Sequence, residues 1–279
     1  MSIRILPRLA LVVTVGVLGL TACSSGSATQ TSVTPAAPGA GALKIGISTD
    51  EPGISLKEGT SYSGFDILTA TYVAGKLGVA PQDIDWVELK QADRETALQS
   101  GEVDLVVQTY SITPERAQKV DFAGPYFVAH QDLLIRRNDA TINGPERLDG
   151  KTLCSVTGTT SAAYVKANYL GKITLREVPT FSECVRNLAD GTVDAVSTDD
   201  IILAGFAAQP QYKGVLKVVG KGFTDERYGV GIKKGDSDRL AKVNAALKEY
   251  ISSGQWRTAL DETVAPSGYA IPEPPTVGS

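Results

Sequence analysis

The residue with the most definite chemistry in this sequence is Arg116. It lies in the run TYSITPERAQKVDFAGPY, residues 109 to 126, shortly after the small hydroxyl residues Thr109 and Ser111. A guanidinium is planar, keeps its charge at any relevant pH, and can hold a carboxylate through two parallel charge-assisted hydrogen bonds. An ion pair on the surface of a helix is the other reading, and the run by itself leaves both open.

Catalytic chemistry finds little support. The single histidine, His130, sits in VAHQDLL, an extended apolar segment where a structural role is expected. There is no Gly-x-Ser-x-Gly elbow, no Gly-x4-Gly-Lys phosphate loop and no histidine pair for zinc. Ser161 in GTTS has no base beside it in sequence, and a place at a helix start accounts for it. Neither Cys154 nor Cys184 has the second cysteine or histidine at the spacing zinc requires, so no metal site and no cofactor are expected.

The elements that must position Arg116 follow from the pattern along the chain. At 279 residues and 42% hydrophobic content, one large core or two modest ones can form. Arg4 and Arg8 precede an uncharged run from Leu9 to Leu20 that ends in LTAC, residues 20 to 23. The run is short of the ~20 apolar residues of a membrane span and reads as an export signal. Small residues before Cys23 resemble a bacterial lipobox, in which Cys23 is acylated and residues 1–22 are removed. The Ser/Thr/Ala/Pro/Gly segment through Gly41 carries no charge and no period, and residues 23–42 read as a flexible tether. Loss of residues 1–22 would remove two arginines and no acid, leaving 25 basic against 31 acidic residues. That balance, without a basic cluster, argues against a nucleic-acid partner. With Cys23 assigned to lipid, Cys154 and Cys184 remain as a pair outside the reducing cytosol, and a disulfide is expected, two separate thiols being the alternative.

From residue 43 onward, short β-like runs alternate with amphipathic ones. LKIGIS (43–48), GFDILTATYVAGKLG (64–78), IDWVEL (84–89), RETALQSG (94–101) and VDLVVQ (103–108) make one series. KTLCSV (151–156), TSAAYVKANYLG (160–171), ITLREV (173–178), FSECVRNLADG (181–191) and VDAVST (193–198) make a second. This alternation predicts two α/β units with mainly parallel sheets. YFVAHQDLLIRRNDA (126–140) would carry the chain across and ERYGVGIKKGD (226–236) back, followed by a helix over 237–254 capped by Ser237 or Asp238 and ended by Gly254. Two crossings between two lobes amount to a hinge. SGEVDLVVQT (100–109) and DGTVDAVSTD (190–199) repeat one arrangement, with polar residues at the carboxyl end of a strand, where open α/β sheets bind ligands.

Taken together and in order, GEVDLVVQTYSITPERAQKVDFAGPYFVAHQDLLIRR, LCSVTGTTSAAYV, GTVDAVSTDDIIL and FTDERYGVGIKKGD resemble the bacterial extracellular solute-binding proteins of ABC importers for polar amino acids. The resemblance spans nearly all of residues 43 to 265, includes the cysteine pair, and looks strongest toward the glutamate-binding lipoproteins of actinobacteria. It implies a two-lobed periplasmic-binding-protein-like α/β fold with two hinge strands: residues 43–128 and 229–270 in lobe 1, 129–228 in lobe 2, and a tail at 271–279.

It further implies that Arg116 binds the α-carboxylate of an amino acid, with the Thr109 carbonyl and Ser111 hydroxyl near the α-amino group or carboxylate. TGTT (157–160) would open a helix whose Thr159 and Thr160 amides meet the same carboxylate. Asp199 would pair with the α-ammonium, Asp200 being the neighbour most easily confused with it. Asp50 matches another ligand-contacting position, a turn or N-cap aspartate being the alternative. Arg94 matches a position that meets the distal carboxylate in acidic amino-acid binders, and Lys90 is a further cation better read as solvated. Glutamate or aspartate is the implied ligand, with glutamine or asparagine next. The implied setting is a monomer, anchored by lipid outside the cell membrane, that delivers its ligand to an ABC permease. A sensor signalling to a membrane receptor or kinase, and an enzyme built on the same fold, are the rival readings.

Overall fold

The computed structural model describes residues 42–169 and 171–278. The expected export signal, Cys23 and the tether up to residue 41 lie outside the described residues. The first lobe is built by β1 (Leu43–Ile47), three short strands β2 (Asp50–Glu51), β3 (Ser55–Glu58) and β4 (Ser61–Ser63), helix α1 (Phe65–Lys76), β5 (Ile84–Glu88), α2 (Arg94–Ser100), β6 (Leu105–Val106), the single turn α3 (Pro114–Ala117) and β7 (Val120–Ala129). The chain then crosses into β8 (Gln131–Arg136), β9 (Thr152–Val156), α4 (Thr160–Tyr169), β10 (Thr174–Val178), α5 (Phe181–Ala189), β11 (Ala195–Asp199), α6 (Asp200–Ala208) and β12 (Leu216–Val218). It returns through β13 (Glu226–Lys233) to α7 (Ser237–Ser252) and α8 (Gln255–Thr263).

Two five-stranded sheets result, ordered β5-β1-β6-β13-β7 and β10-β9-β11-β8-β12. The expectation of mainly parallel sheets holds for β5-β1-β6 and for β10-β9-β11. One strand in each sheet runs against the rest: β13 in the first and β8 in the second. These are the strands by which the chain arrives from the other lobe, so the reversal follows from the crossings. A third sheet, β2-β3-β4, was not legible in the sequence, because its strands are too short to show a period.

Local rules account for the elements. Strand β1 buries Leu43, Ile45 and Ile47 on one face and leaves Lys44 exposed on the other. Helix α5 buries Phe181, Cys184, Val185 and Leu188, one stripe at helical spacing, and Thr180 caps it by accepting from the Glu183 N–H. Helix α7 is capped by Asp236, whose Oδ1 accepts from the Arg239 N–H at 3.1 Å, and not by Ser237 or Asp238. Asp236 precedes the first helical residue, and its backbone, at φ −81° and ψ 74°, is non-helical as a cap requires. Gly254, with φ of 81°, makes the turn into α8. The tail does not hang free: Val277 is buried and the Gly278 N–H donates to the Gly124 carbonyl at 2.8 Å.

The repeated Gly-x-Val-Asp arrangement is a strand staple. The Asp104 N–H donates to the Lys44 carbonyl while its carboxylate accepts from the Lys44 N–H; Asp194 does the same to Thr152. In each lobe one aspartate thus sets the register of the strand that carries the site, β6 or β11, against its parallel neighbour.

Cys154 on β9 and Cys184 on α5 form a disulfide with a Cα separation of 5.5 Å. It closes a loop of 30 residues within the second lobe. Loop-closure entropy gives such a bridge about 3 to 4 kcal/mol. The Cys154→Ser/Cys184→Ser variant is expected to lose about that much unfolding free energy in denaturant titration; no loss would show that the packing of α5 on β9 suffices without the bond.

Candidate functional site

Strands β6 and β11 end at the gap between the lobes, and the chain just beyond their tips lines it. The cavity there is nearly shut, with about 10 Å³ of room for a water-sized sphere. That is far below the ~300–1,000 Å³ of ligand pockets, because the lobes touch across it. Arg94, Thr109, Ser111, Arg116, Thr159, Thr160 and Asp199 all line it, so seven residues from four separate runs of sequence meet at one place.

Arg116 is held on α3, whose start is fixed by Pro114 and by the Thr113 hydroxyl accepting from the Arg116 N–H. Its guanidinium donates to the Ser111 carbonyl at 2.8 Å and, across the gap, to the Gly158 carbonyl at 2.9 Å. Its Nε lies 3.4 Å from Glu95 Oε1. Ser111 itself is tied to Tyr228 of β13 by an isolated β-bridge.

Arg94, at the start of α2, is fully buried. It donates to the Gln91, Gln108 and Gly158 carbonyls at 2.9, 3.0 and 3.1 Å. Burial first, and the charge of Arg116 second, lower its pKa to about 10, which still leaves it protonated at neutral pH. Both guanidinium carbons lie close to the Tyr110 ring, at 4.3 Å for Arg94 and 5.1 Å for Arg116. Two adjacent cations therefore share one neutral acceptor, the Gly158 carbonyl, with Glu95 beside Arg116 as a counter-charge.

Gly158 allows this approach. Its φ of +85° is in the left-handed region, and a Cβ there would sit 2.5 Å from the Ala92 Cα on the opposite lobe. Thr159 caps α4: its hydroxyl accepts from the Ala162 N–H at 3.0 Å and donates to the Val156 carbonyl at 2.7 Å. The Thr159 amide turns back to the Val156 carbonyl at 3.3 Å, so what Thr159 offers is its cap. Thr160 and Ser161 follow, and helix geometry leaves their N–H groups without an intrahelical acceptor.

Asp199 supplies the acid. Its Oδ2 accepts from the Tyr228 hydroxyl at 2.5 Å, while Oδ1 is buried with no partner. Burial, then the nearby charge of Glu226, pushes its carboxyl well above the usual range, so a cation brought to Oδ1 would be strongly favoured. The Ser161 hydroxyl in the same wall is also without a partner. Asp200, by contrast, points to the hinge, where it accepts from the His130 and Ile201 N–H groups.

Other candidates fall elsewhere. Asp50 is not part of the cavity lining; its carboxylate accepts from the Ser182 N–H at 2.9 Å, joining lobe 1 to the start of α5, which is the cap-like alternative for that residue. Lys90 is exposed. His130 lies at the hinge, 2.8 Å from the Thr224 carbonyl, outside the cavity. Glu226 was missed by sequence reasoning: it accepts from the Thr160 hydroxyl at 2.9 Å and from Gln131 Nε2 at 2.6 Å, linking a hinge strand to the first residue of α4. A larger cavity of about 760 Å³ lies near the hinge between α6, β12 and residues 266–272, but Asp132 and Asp200 in its wall already accept from backbone N–H groups.

Thr109 has a φ of 42°, the one positive value outside glycine among the described residues. Such a conformation costs a β-branched residue of order 1–3 kcal/mol.

Because a Cβ at Gly158 would collide with the Ala92 backbone of the opposite lobe, Gly158→Ala is expected to hold the lobes apart. Small-angle scattering should then report a larger radius of gyration than for the parent chain, and an identical radius would show that this contact does not limit closure.

Three comparisons bear on the identity of this arrangement. The family profile of bacterial extracellular solute-binding proteins, family 3, matches residues 43–263. The glutamate-binding protein GluB of Corynebacterium glutamicum is 40% identical over 244 residues, covering 84% of this chain and 82% of its own, and the ABC transporter glutamine-binding protein GlnH of Bacillus subtilis is 33% identical over 217 residues, covering 77% and 78%. Among solved structures, the ancestral amino acid-binding protein AncCDT-1, described as a precursor of cyclohexadienyl dehydratase, superimposes with a TM-score of 0.72 at 31% identity, covering 80% of this chain and 94% of that one. A two-lobed α/β fold whose strand tips meet across a small charged cavity, matched over most of its length by these sequences, belongs to the bacterial extracellular solute-binding proteins, family 3.

Proposed function

We propose that this chain is the substrate-binding subunit of an ABC importer for amino acids, with glutamate or aspartate as its ligand and glutamine or asparagine as the next candidates. The observation that carries the reading is the charge layout of the cavity. Arg94 and Arg116 converge from lobe 1, and the unpartnered Asp199 Oδ1 faces the same gap from lobe 2. A zwitterion meets both needs, and a second carboxylate meets the second guanidinium. The glutamate-binding and glutamine-binding relatives support the same ligand class.

Function then follows from two-sided contact. A ligand bound between Arg116 and Asp199 gains its full set of hydrogen bonds only when the lobes meet, so it shifts the population toward the closed form that a permease would receive. Acylation of Cys23, anchoring of a monomer outside the cell membrane, and the tether over residues 23–42 complete the reading: the folded body would stay within reach of its permease. The rival readings keep the same site. A sensor would present the closed form to a receptor, and an enzyme would need a positioned base, whereas His130 is turned to the hinge carbonyl of Thr224.

A thermal-shift screen of the twenty amino acids on the chain lacking residues 1 to 23 tests this directly, because a ligand of the folded state raises the melting temperature. Glutamate or aspartate should give the largest rise, and Arg116→Ala should weaken binding about thirtyfold or more. A flat screen, or near-parental affinity in Arg116→Ala, would sink the assignment. Arg94→Ala should cost glutamate more than glutamine; equal losses would reduce Arg94 to a brace for the backbone carbonyls it already holds.

A further inference from the structure

Thr109 lines the cavity in a left-handed conformation that threonine does not adopt unaided, so some group must hold it there. That group is the carboxylate of Asp66, in the first turn of α1. Asp66 is completely buried; its Oδ2 accepts from the Thr109 N–H at 2.8 Å and its Oδ1 from the Tyr126 hydroxyl at 2.8 Å. Tyr126 is fixed in turn by Trp256, whose Nε1–H donates to the Tyr126 carbonyl at 2.7 Å. On the other side of the same peptide, Arg94 donates to the Gln108 carbonyl at 3.0 Å. The Gln108–Thr109 peptide is thus clamped at both ends, its oxygen by a guanidinium and its N–H by a carboxylate. Beyond it, the Tyr110 carbonyl is taken by the Gly229 N–H at 2.9 Å. The Thr109 carbonyl lies between these two fixed points.

We propose that Asp66 is a positioning residue for the ligand: by pinning the Thr109 N–H it holds Thr109 in its left-handed conformation and so aims the Thr109 carbonyl at the ligand's ammonium group. The inference rests on the reading of the cavity as an amino-acid site. Nothing in the sequence pattern marks Asp66 for this role, since it falls at a helix start, 43 positions before the residue it holds. The groups facing it are the hydroxyls of Tyr126 on β7 and Tyr250 on α7, Glu51 on β2 and Arg94 on α2. Burial raises its pKa to about 6, against the lowering effect of Tyr126, the Thr109 N–H and Arg94. The charged acceptor is therefore present at neutral pH and weakened in mild acid, and ligand affinity should fall as pH drops through that value.

The test compares the full chain with Asp66→Asn and with Asp66→Asn/Thr109→Gly. Asparagine keeps the size of the side chain but replaces one acceptor oxygen with an NH2 donor and removes the charge. Isothermal titration with L-glutamate and L-glutamine at neutral pH should show Asp66→Asn binding about tenfold more weakly, the scale of a lost hydrogen bond to a charged group. Glycine at 109 tolerates positive φ without the clamp, so the double variant should recover several-fold of that loss, which a merely structural role for Asp66 would not produce.

A second readout needs no ligand: the Thr109 amide proton signal should titrate with a midpoint at about pH 6 in the parent chain and stay flat in Asp66→Asn. Unchanged affinity in Asp66→Asn, failure of Thr109→Gly to restore binding, or a Thr109 amide that does not titrate overturns the proposal. A parent chain whose Thr109 amide titrates but which binds neither amino acid overturns the ligand reading and leaves the clamp itself demonstrated.

Discussion

One backbone carbonyl is shared between the two halves of this site. Gly158 offers a single oxygen to two guanidiniums from the opposite lobe, and it can do so only because it has no side chain to meet Ala92. Arg94 also holds the Gln91 and Gln108 carbonyls, and Arg116 holds the Ser111 carbonyl beside Glu95, so the shared oxygen adds a contact from the second lobe to two cations already held in the first. The far wall carries an unsatisfied acid, with a helix start between. The cavity wall thus carries charge of both signs, and the Asp50–Ser182 bond joins the lobes beside the contact at Gly158.

Much of this was legible in the sequence because the signals were local. Alternating β-like and amphipathic runs fixed the two α/β units, and Arg116, which lines the cavity, could be singled out from its type and neighbours. Thr109, Ser111, Arg116 and Asp199 lie just past strand ends, which is where an open α/β sheet receives ligand. What escaped was carried by backbone atoms or by pairs far apart in the chain. No side-chain pattern announces that the carbonyl of Gly158 will bridge the lobes. Glu226 reads as the first residue of a strand, and only the fold brings it to the hydroxyl of Thr160. Asp50 had the right type and the right place in sequence, yet its carboxylate joins the lobes beside the cavity.

The two arginines also differ in kind. Arg116 sits on one turn of helix with a flanking glutamate, whereas Arg94 is enclosed and bound to three carbonyls. Arg94 braces the loop that carries Thr109 whatever else it contacts. Shape and charge are coupled here: the group that adds positive potential to the wall also fixes the backbone of that wall.

The matched aspartates, Asp104 and Asp194, set each half's ligand-facing strand against its neighbour by the same two hydrogen bonds. In each half the support of the strand is therefore settled before the cavity-lining residues begin. Residues past the tip can be traded without disturbing how the tip is held, which gives a physical basis for one scaffold serving relatives named for glutamate and for glutamine.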